Sequence, residues 1–269
     1  MRVALCLIGV VGGVGGKNNR GGGSSEILST GYHHYNKHLL SLNNTDVFVH
    51  TWSEGLEKEI VNLYNPRDFI CEKQKKFNIP KWVTGTKERK NNHYSRWYSY
   101  KTACGLKRKY EKDNDFIYDF VMMGRFDIAW MKDIVFDNFD SSCFYAGNWN
   151  VPYIEGKKVP NPKWYLLSEE KKRKAKFKLV GYPHNHEGFV DQWFFSGSKQ
   201  MDEFCSLYDN LNGYTKRGNC PVDGSGNISN HRLSLYHLKK IGGLDSLRFA
   251  FNLHDDFPLI RRLHFRSGK

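Results

Sequence analysis

The chain has 269 residues, 39% of them hydrophobic, and its 18 Phe, 15 Tyr and 7 Trp exclude an intrinsically disordered polypeptide. Its 41 Lys and Arg against 28 Asp and Glu leave a formal charge of +13, which favours an anionic partner such as a phosphate, a nucleotide or a nucleic acid. No run approaches the roughly 20 apolar residues of a membrane-spanning helix, so we expect no transmembrane segment. The length of the chain fits one large domain, and we expect a single domain over residues 1–269.

The cysteines indicate the compartment in which the protein acts. The six cysteines form no Cys-x-x-Cys pair, so the sequence predicts neither a zinc site nor a redox motif. Thiols within apolar segments are typical of a reducing compartment, and we expect a cytoplasmic protein of the producing or a host cell.

The basic residues extend from Lys17 to Lys269 rather than along one stripe, and we interpret the dense cluster at residues 171–176 as a solvated face. A nucleic-acid-binding module is therefore an alternative, not the main prediction.

The first predicted strand, residues 3–11, leads into a glycine-rich loop, residues 12–25. A Walker phosphate loop needs a glycine and a hydroxyl residue at the places that Val11 and Asn18 occupy. This departure argues against a sulfo- or phosphoryl transferase built on the loop, which we keep as a second alternative. We interpret the loop as flexible, with backbone amides that could also close over an anionic ligand.

A helix then runs toward Leu42, and a second strand, residues 46–52, is apolar until it reaches His50. The succession of strand, helix and strand predicts a right-handed parallel crossover. We therefore expect an α/β fold with a mostly parallel central sheet flanked by helices. Ligands of such sheets collect at the carboxyl ends of the strands, where His50 lies, although a lone histidine there is more often structural than catalytic.

A helix over residues 94–112 leads into the central strand, residues 120–123, whose unbroken apolar run predicts burial on both faces. Arg125 and Asp127 follow directly. Two opposite charges at the edge of the sheet could present a cation and a carboxylate to one ligand. A surface ion pair explains the same two residues equally well.

Later segments supply further acidic and imidazole groups. Residues 148–170 are predicted to form a long loop, and residues 189–195 a strand that sets Asp191 among aromatic side chains. Desolvation by these neighbours would raise the pKa of Asp191 toward that of a working base, and Glu187 is close enough in sequence to take that role instead. His254 follows a mostly apolar segment near the end of the sequence.

Three segments resemble blocks of viral and microbial glycosyltransferases of the nucleotide-diphospho-sugar (GT-A) type. They are residues 46–52 (DVFVHTW), 121–127 (VMMGRFD) and 190–195 (VDQWFF), and their order along the chain also matches. The resemblance implies a Rossmann-like GT-A fold whose first strand meets the nucleotide, through Gly9, with His50 beside it.

The same resemblance implies roles for the charged residues. In that family an Asp-x-Asp motif at a strand end binds Mn²⁺ or Mg²⁺, which makes Asp127 the second carboxylate of the motif. Arg125 stands where the first carboxylate is expected, a departure that would let a guanidinium contact the diphosphate directly and makes metal dependence an open point. Asp191 corresponds to the base that activates the acceptor, and His254 resembles a late metal-binding histidine.

The sequence thus predicts a transferase that moves a sugar from a nucleotide-diphosphate donor to the hydroxyl of a glycan or another acceptor, aided by a divalent metal. The predicted site residues are Asp191 and Glu187 for catalysis, Gly9, His50, Arg125 and Asp127 for the donor, and Asp127 and His254 for the metal.

Overall fold

The computed structural model describes residues 1–12, 23–159, 167–180, 188–216, 218–219, 222, 225–253 and 255–263. Within these residues, nine strands are linked in one sheet with helices on both faces. The strands are β1 (Arg2–Gly9), β2 (Asn44–Thr51), β3 (Asp68–Cys71), β4 (Phe120–Arg125), β5 (Phe144–Ile154), β6 (Lys157–Lys158), β7 (Lys176–Val180), β8 (Val190–Ser196) and β9 (Leu247–Asn252). The α-helices are α1 (Ser25–His38), α2 (Glu57–Tyr64), α3 (Lys87–Asp113), α4 (Glu169–Arg173), α5 (Ser198–Cys205), α6 (Leu207–Tyr214), α7 (Asn230–Lys240) and α8 (Ile260–Leu263).

The strand order is β3-β2-β1-β4-β8-β5-β6, and β7 and β9 both pair with β5. Strands β1 to β4 are mutually parallel, β8 is antiparallel to both β4 and β5, and β9 is parallel to β5. Six of the nine strands in the described part of the chain therefore share one direction. The predicted α/β class, with a mostly parallel sheet flanked by helices, is confirmed in this mixed form.

Strand β1 shows why helices cover both faces of the sheet. Its apolar side chains alternate, so that Val3, Leu5 and Leu7 belong to one core and Ala4, Cys6 and Ile8 to the other. The first core is closed by α1, α2 and α8, and the second by α3, α5, α6 and α7. A strand that is apolar on both faces cannot lie at a solvated surface, and β1 accordingly occupies the interior of the sheet.

The connections define the position of a ligand crevice. From β1 the chain moves outward through β2 to β3, and α3 then returns it to β4 on the other side of β1. The order thus reverses between β1 and β4, and at such a switch point the carboxyl ends of neighbouring strands leave a crevice. Ile8 pairs with both His50 and Arg125, so the ends of the three strands lie level with one another.

The predicted long loop over residues 148–170 is wrong in part. Strand β5 continues to Ile154 and turns back into β6, and α4 begins at Glu169. Strand β5 is paired with β6, β7, β8 and β9, so long-range partners stabilise a segment whose Trp and Pro content resembles a loop. Helix α2 and strand β3 were not predicted, because α2 buries only Ile60 and Tyr64 and every residue of β3 is only half-buried.

Within the described residues, no helix is both long enough and apolar enough to cross a membrane. The cysteines in this part of the chain are free thiols.

Helix α1 packs very closely against the turn that follows β4. A Cβ atom at Gly31 would lie 2.1 Å from the carbonyl oxygen of Phe126, and one at Gly124 would lie 2.5 Å from the hydroxyl of Tyr35. The Tyr35 hydroxyl donates a hydrogen bond of 2.8 Å to the carbonyl oxygen of Arg125. Two glycines are therefore needed for the helix to hold this turn.

We predict that Gly31→Ala lowers the free energy of unfolding by about 1–3 kcal/mol, because backbone atoms must shift to accept the methyl group. Gly105→Ala is the matched control. Gly105 is also helical, a Cβ atom there has no neighbour within 4 Å, and the gain in helix propensity should stabilise the protein by about 0.8–1 kcal/mol. Urea unfolding of both variants measures the difference, and equal stabilisation by both would contradict the close packing of α1.

Candidate active site

Arg125 and Asp127 form an ion pair at the carboxyl end of β4. The Arg125 guanidinium donates from Nε to Asp127 Oδ1 and from Nη2 to Asp127 Oδ2, both at 2.7 Å. The Asp127 side chain is only 1% exposed, whereas the Arg125 side chain retains 19% exposure. Both carboxylate oxygens therefore accept hydrogen bonds in a bidentate pair, the strongest geometry that these two groups can form.

The backbone around this pair is fixed from several directions. The Ile260 amide donates to the carbonyl oxygen of Asp127 at 2.9 Å, which ties α8 to the turn. Gly12, just after β1, adopts a positive φ of 91°, and a Cβ atom there would lie 3.4 Å from Asp127 Oδ2. The exit of the first strand therefore lies against the carboxylate, at the switch point of the sheet.

A second ion pair lies beside the first and joins α3 to β8. Arg96 Nη1 contacts Asp191 Oδ2 at 2.5 Å and also donates to the carbonyl oxygen of Asp191. His231, from α7, places Nδ1 3.7 Å from Asp191 Oδ1 and shares a hydrogen bond of 2.9 Å with the carbonyl oxygen of Phe189. The Asp191 side chain is 13% exposed.

An irregularity in the pairing of β5 with β8, a β-bulge, changes the face of the sheet on which the Asp191 side chain lies. Strand β5 pairs Ala146 with Phe194 but its next residue, Gly147, with Val190, so three residues of β8 are skipped in the register. Bulges of this kind break the regular alternation of side chains and are frequent beside functional sites. The bulge brings the Asp191 carboxylate to Arg96, which alternation along a regular strand does not predict.

The pKa of Asp191 differs in direction from the prediction. Burial raises the pKa of this carboxyl group, but the charges of Arg96, His231, Arg125 and His93 outweigh burial, and the pKa lies well below its usual range. The expectation of a raised pKa is therefore wrong, because the sequence showed the aromatic neighbours of Asp191 but not its cationic ones. A firmly ionised carboxylate accepts hydrogen bonds readily and protons weakly.

The two ion pairs belong to one electrostatic network. Burial lowers the pKa of the Arg125 guanidinium, but Asp127 and, further away, Asp191 raise it by more, so Arg125 stays charged. Two guanidinium groups face two carboxylates, and their formal charges cancel. We call Arg96, Arg125, Asp127 and Asp191 the edge network.

Gly9 and His50 lie at the same edge. The Gly9 carbonyl oxygen and His50 Nε2 have partners within the protein, whereas the buried His50 Nδ1 has no hydrogen-bond partner among the described residues. The Gly9 carbonyl oxygen accepts from the Thr51 hydroxyl at 2.9 Å and from the Trp52 amide at 3.3 Å. His50 is fully buried, and its Nε2 lies 2.9 Å from Glu72 Oε1. Burial lowers the pKa of His50, and its ring contacts Trp52 edge to face. These contacts give His50 a structural role, and because its Nδ1 has no partner in the described structure, its predicted role at the donor stays a prediction.

The described residues include one of the two predicted metal ligands, Asp127, and form no metal site among themselves. Glu187, the alternative base, and His254 lie outside the described residues. Both oxygens of Asp127 are bound by Arg125, and no group of three His, Cys, Asp or Glu side chains within the described part of the chain could hold a metal ion. The donor set that is described therefore does not fit Mn²⁺ or Mg²⁺, which need several oxygen ligands.

Sequence reasoning missed the contributions of Arg96, His93 and His231. Arg96 lies in the predicted helix, where a basic residue is usually taken as part of a solvated face. A usable signal was present, since Arg96 precedes Tyr100 by four residues and Ala103 by seven, which places all three on one face of the helix. A basic side chain within an apolar stripe needs a buried anionic partner, and here that partner is Asp191.

A scan against models of known protein families finds no match to this chain, and a search of curated protein sequences finds none either.

His93 provides a test of the electrostatics around the edge network. Burial lowers its pKa from 6.5 to about 4, the charges of Arg96 and Arg89 act in the same direction, and Nδ1 is hydrogen-bonded to the Arg89 carbonyl oxygen. A carbonyl only accepts, so Nδ1 carries the proton of a neutral ring. Between pH 6.5 and 4, His93 therefore binds a proton in the unfolded state but stays neutral in the folded state. The free energy of unfolding falls as the pH falls through this range.

We predict that His93→Gln reduces the loss of unfolding free energy between pH 7 and pH 4 by up to about 3 kcal/mol. Urea unfolding at half-unit pH steps measures this slope. His33→Gln, at an exposed position of α1, is the control for the substitution itself. A slope in His93→Gln equal to that of the parent protein would contradict a neutral buried imidazole.

Proposed function

We propose that this protein is a glycosyltransferase that moves a sugar from a nucleotide-diphosphate donor to an acceptor hydroxyl, with a GT-A type fold. The observation that carries the proposal is the edge network. It gathers two guanidinium groups and two carboxylates at the switch point of the sheet, where α/β proteins bind ligands. A donor diphosphate needs cationic groups and an acceptor hydroxyl needs a carboxylate, and the edge network contains both.

Arg125 is the proposed ligand of the donor diphosphate. Its Nε and one Nη2 hydrogen bind Asp127, while its Nη1 group donates to none of the described residues. A guanidinium has five donor hydrogens in a planar fork, so a phosphate can be bound without breaking the pair with Asp127. Asp127 keeps this fork in a fixed orientation at the end of β4.

Asp191 is the proposed partner of the acceptor hydroxyl. Because its pKa is lowered, Asp191 stays ionised and accepts the hydroxyl hydrogen bond, but it is a weak base. Glu187, four residues earlier in the sequence, remains the alternative base. Asp191 would act at the edge of the sheet where β8 begins.

No step of the proposed reaction is assigned to a metal, because the described residues form no metal site and His254, the second predicted ligand, lies outside them. Arg125 already supplies a fixed positive charge beside Asp127, at the place where the family resemblance expects a divalent ion. The free thiols of the described residues agree with the proposed site of action in the reducing cytoplasm of the producing or a host cell.

We predict that a nucleoside diphosphate such as UDP or GDP raises the melting temperature of the protein in moderate salt, without added Mn²⁺. Arg125→Lys should weaken this binding about tenfold or more, because an ammonium group pairs with Asp127 but cannot reproduce the bidentate fork. Arg108→Lys, an exposed arginine of α3, is the matched control and should bind as the parent does. Titration calorimetry with and without EDTA gives the affinities.

Three results would contradict this proposal. Unchanged nucleotide affinity in Arg125→Lys would remove Arg125 from the donor site, and binding that is abolished by EDTA would restore the metal. Binding of oligonucleotides that is tight at low salt and steeply lost at high salt, with no response to UDP or GDP, would favour the nucleic-acid-binding alternative.

We further predict that Asp191→Asn lowers sugar transfer by orders of magnitude while donor affinity changes little, because only the interaction with the acceptor is removed. Glu187→Gln is the comparison. Transfer measured by release of nucleoside diphosphate in the presence of acceptor separates the two carboxylates. Near-normal transfer by Asp191→Asn together with loss in Glu187→Gln would assign the base to Glu187.

A further inference from the structure

A cavity away from the edge network lies between α3, α6 and the segment that precedes α3. Its volume is about 300 Å³, near the lower limit of ligand pockets. Its lining residues are Phe77, Asn78, Tyr94, Tyr208, Asp209 and Asn212. We call this space the α3–α6 cavity.

Aromatic rings form one side of the α3–α6 cavity. The ring centroids of Phe77 and Tyr208 are 6.3 Å apart, and Tyr98 lies 5.7 Å from Phe77 and 5.5 Å from Tyr208. Phe77 and Tyr208 are both only half-buried, so part of each ring remains open to a ligand. Such rings offer apolar faces to the C–H groups of a ligand.

Amide and carboxylate groups form the other side. The Tyr94 hydroxyl donates to Asn212 Oδ1 at 2.9 Å, which orients this amide. Its Nδ2 donates to none of the described residues and can donate to a ligand. Asn78 is exposed at the rim. Asp209 binds Lys101 through Oδ1 at 2.5 Å, and its Oδ2 remains able to accept a hydrogen bond. The cavity therefore presents both hydrogen-bond donors and acceptors.

The local charges disfavour an anionic ligand. Lys101 is paired with Asp209, and Lys75, near the same rings, is paired with Glu72 at 2.6 Å. The charge of each ammonium group is thus already balanced by a carboxylate, which leaves no excess positive charge here for a phosphate. The ligand that fits has one apolar face, several hydroxyl groups and no charge.

We propose that the α3–α6 cavity binds one pyranose residue of a neutral saccharide. A pyranose ring has an apolar C–H face for Tyr208 or Phe77 and vicinal hydroxyls for the Asn212 amide and the Asp209 carboxylate. This inference does not require transferase activity, because none of the cavity residues belongs to the edge network.

The test uses the full chain without nucleotide. The methyl glycosides of D-glucose, D-galactose, D-mannose, N-acetyl-D-glucosamine and L-rhamnose are titrated separately and followed by saturation-transfer NMR. We expect at least one to bind with a millimolar dissociation constant. Asn212→Ala should weaken that binding about tenfold, since two hydrogen bonds to a neutral ligand are lost, and Tyr208→Ala should weaken it by a similar factor.

Two controls separate binding from folding. Tyr208→Phe retains the ring and should bind as the parent does, and Asn210→Ala alters a neighbouring exposed amide of α6 that does not line the cavity. The absence of binding by every glycoside, or equal affinity in Asn212→Ala and the parent, would overturn the proposal. Because UDP is absent, failure of this experiment is distinct from failure of the nucleotide titration.

Discussion

The ion pair between Arg125 and Asp127 is the interaction on which the edge of the sheet depends. Asp127 is almost completely buried, and a buried carboxylate that loses its partner costs about 3–5 kcal/mol. The turn around it is held by Tyr35 of α1 and by Ile260 of α8, so two helices that are distant in sequence converge on one charged pair. The geometry of the pair and the packing of these helices are thus mutually dependent.

The same pair explains why a carboxylate at a strand end need not be a metal ligand. In this chain the cation that neutralises Asp127 is covalently part of the protein, two residues earlier. Asp191 is neutralised in the same way by Arg96, which comes from α3. Among the described residues, the edge network therefore achieves local charge balance with guanidinium groups alone. The Asp127 carboxylate holds the Arg125 guanidinium in a fixed orientation.

The central features of the fold follow from local sequence patterns. The apolar runs of β1 and β4, and the helix between β1 and β2, were enough to predict a parallel sheet with Arg125 and Asp127 at its edge. What sequence reasoning could not supply depends on long-range contacts. The bulge in β8 arises from pairing with β5, which has no local signature. The helical pattern of α3 could show that Arg96 needs a buried anionic partner, but not that this partner is Asp191. A pKa that depends on such partners cannot be predicted from flanking aromatic residues.

Charge acts at two ranges in this protein. The formal charge of +13 attracts anions over the distance of a Debye length, about 8 Å at physiological ionic strength, and increases their rate of encounter. At the edge network the charges cancel, so long-range attraction alone cannot hold a diphosphate there. Affinity at this site must come from hydrogen-bond geometry. The Nη1 group of Arg125, which donates to none of the described residues, can provide it without exposing the buried carboxylate of Asp127.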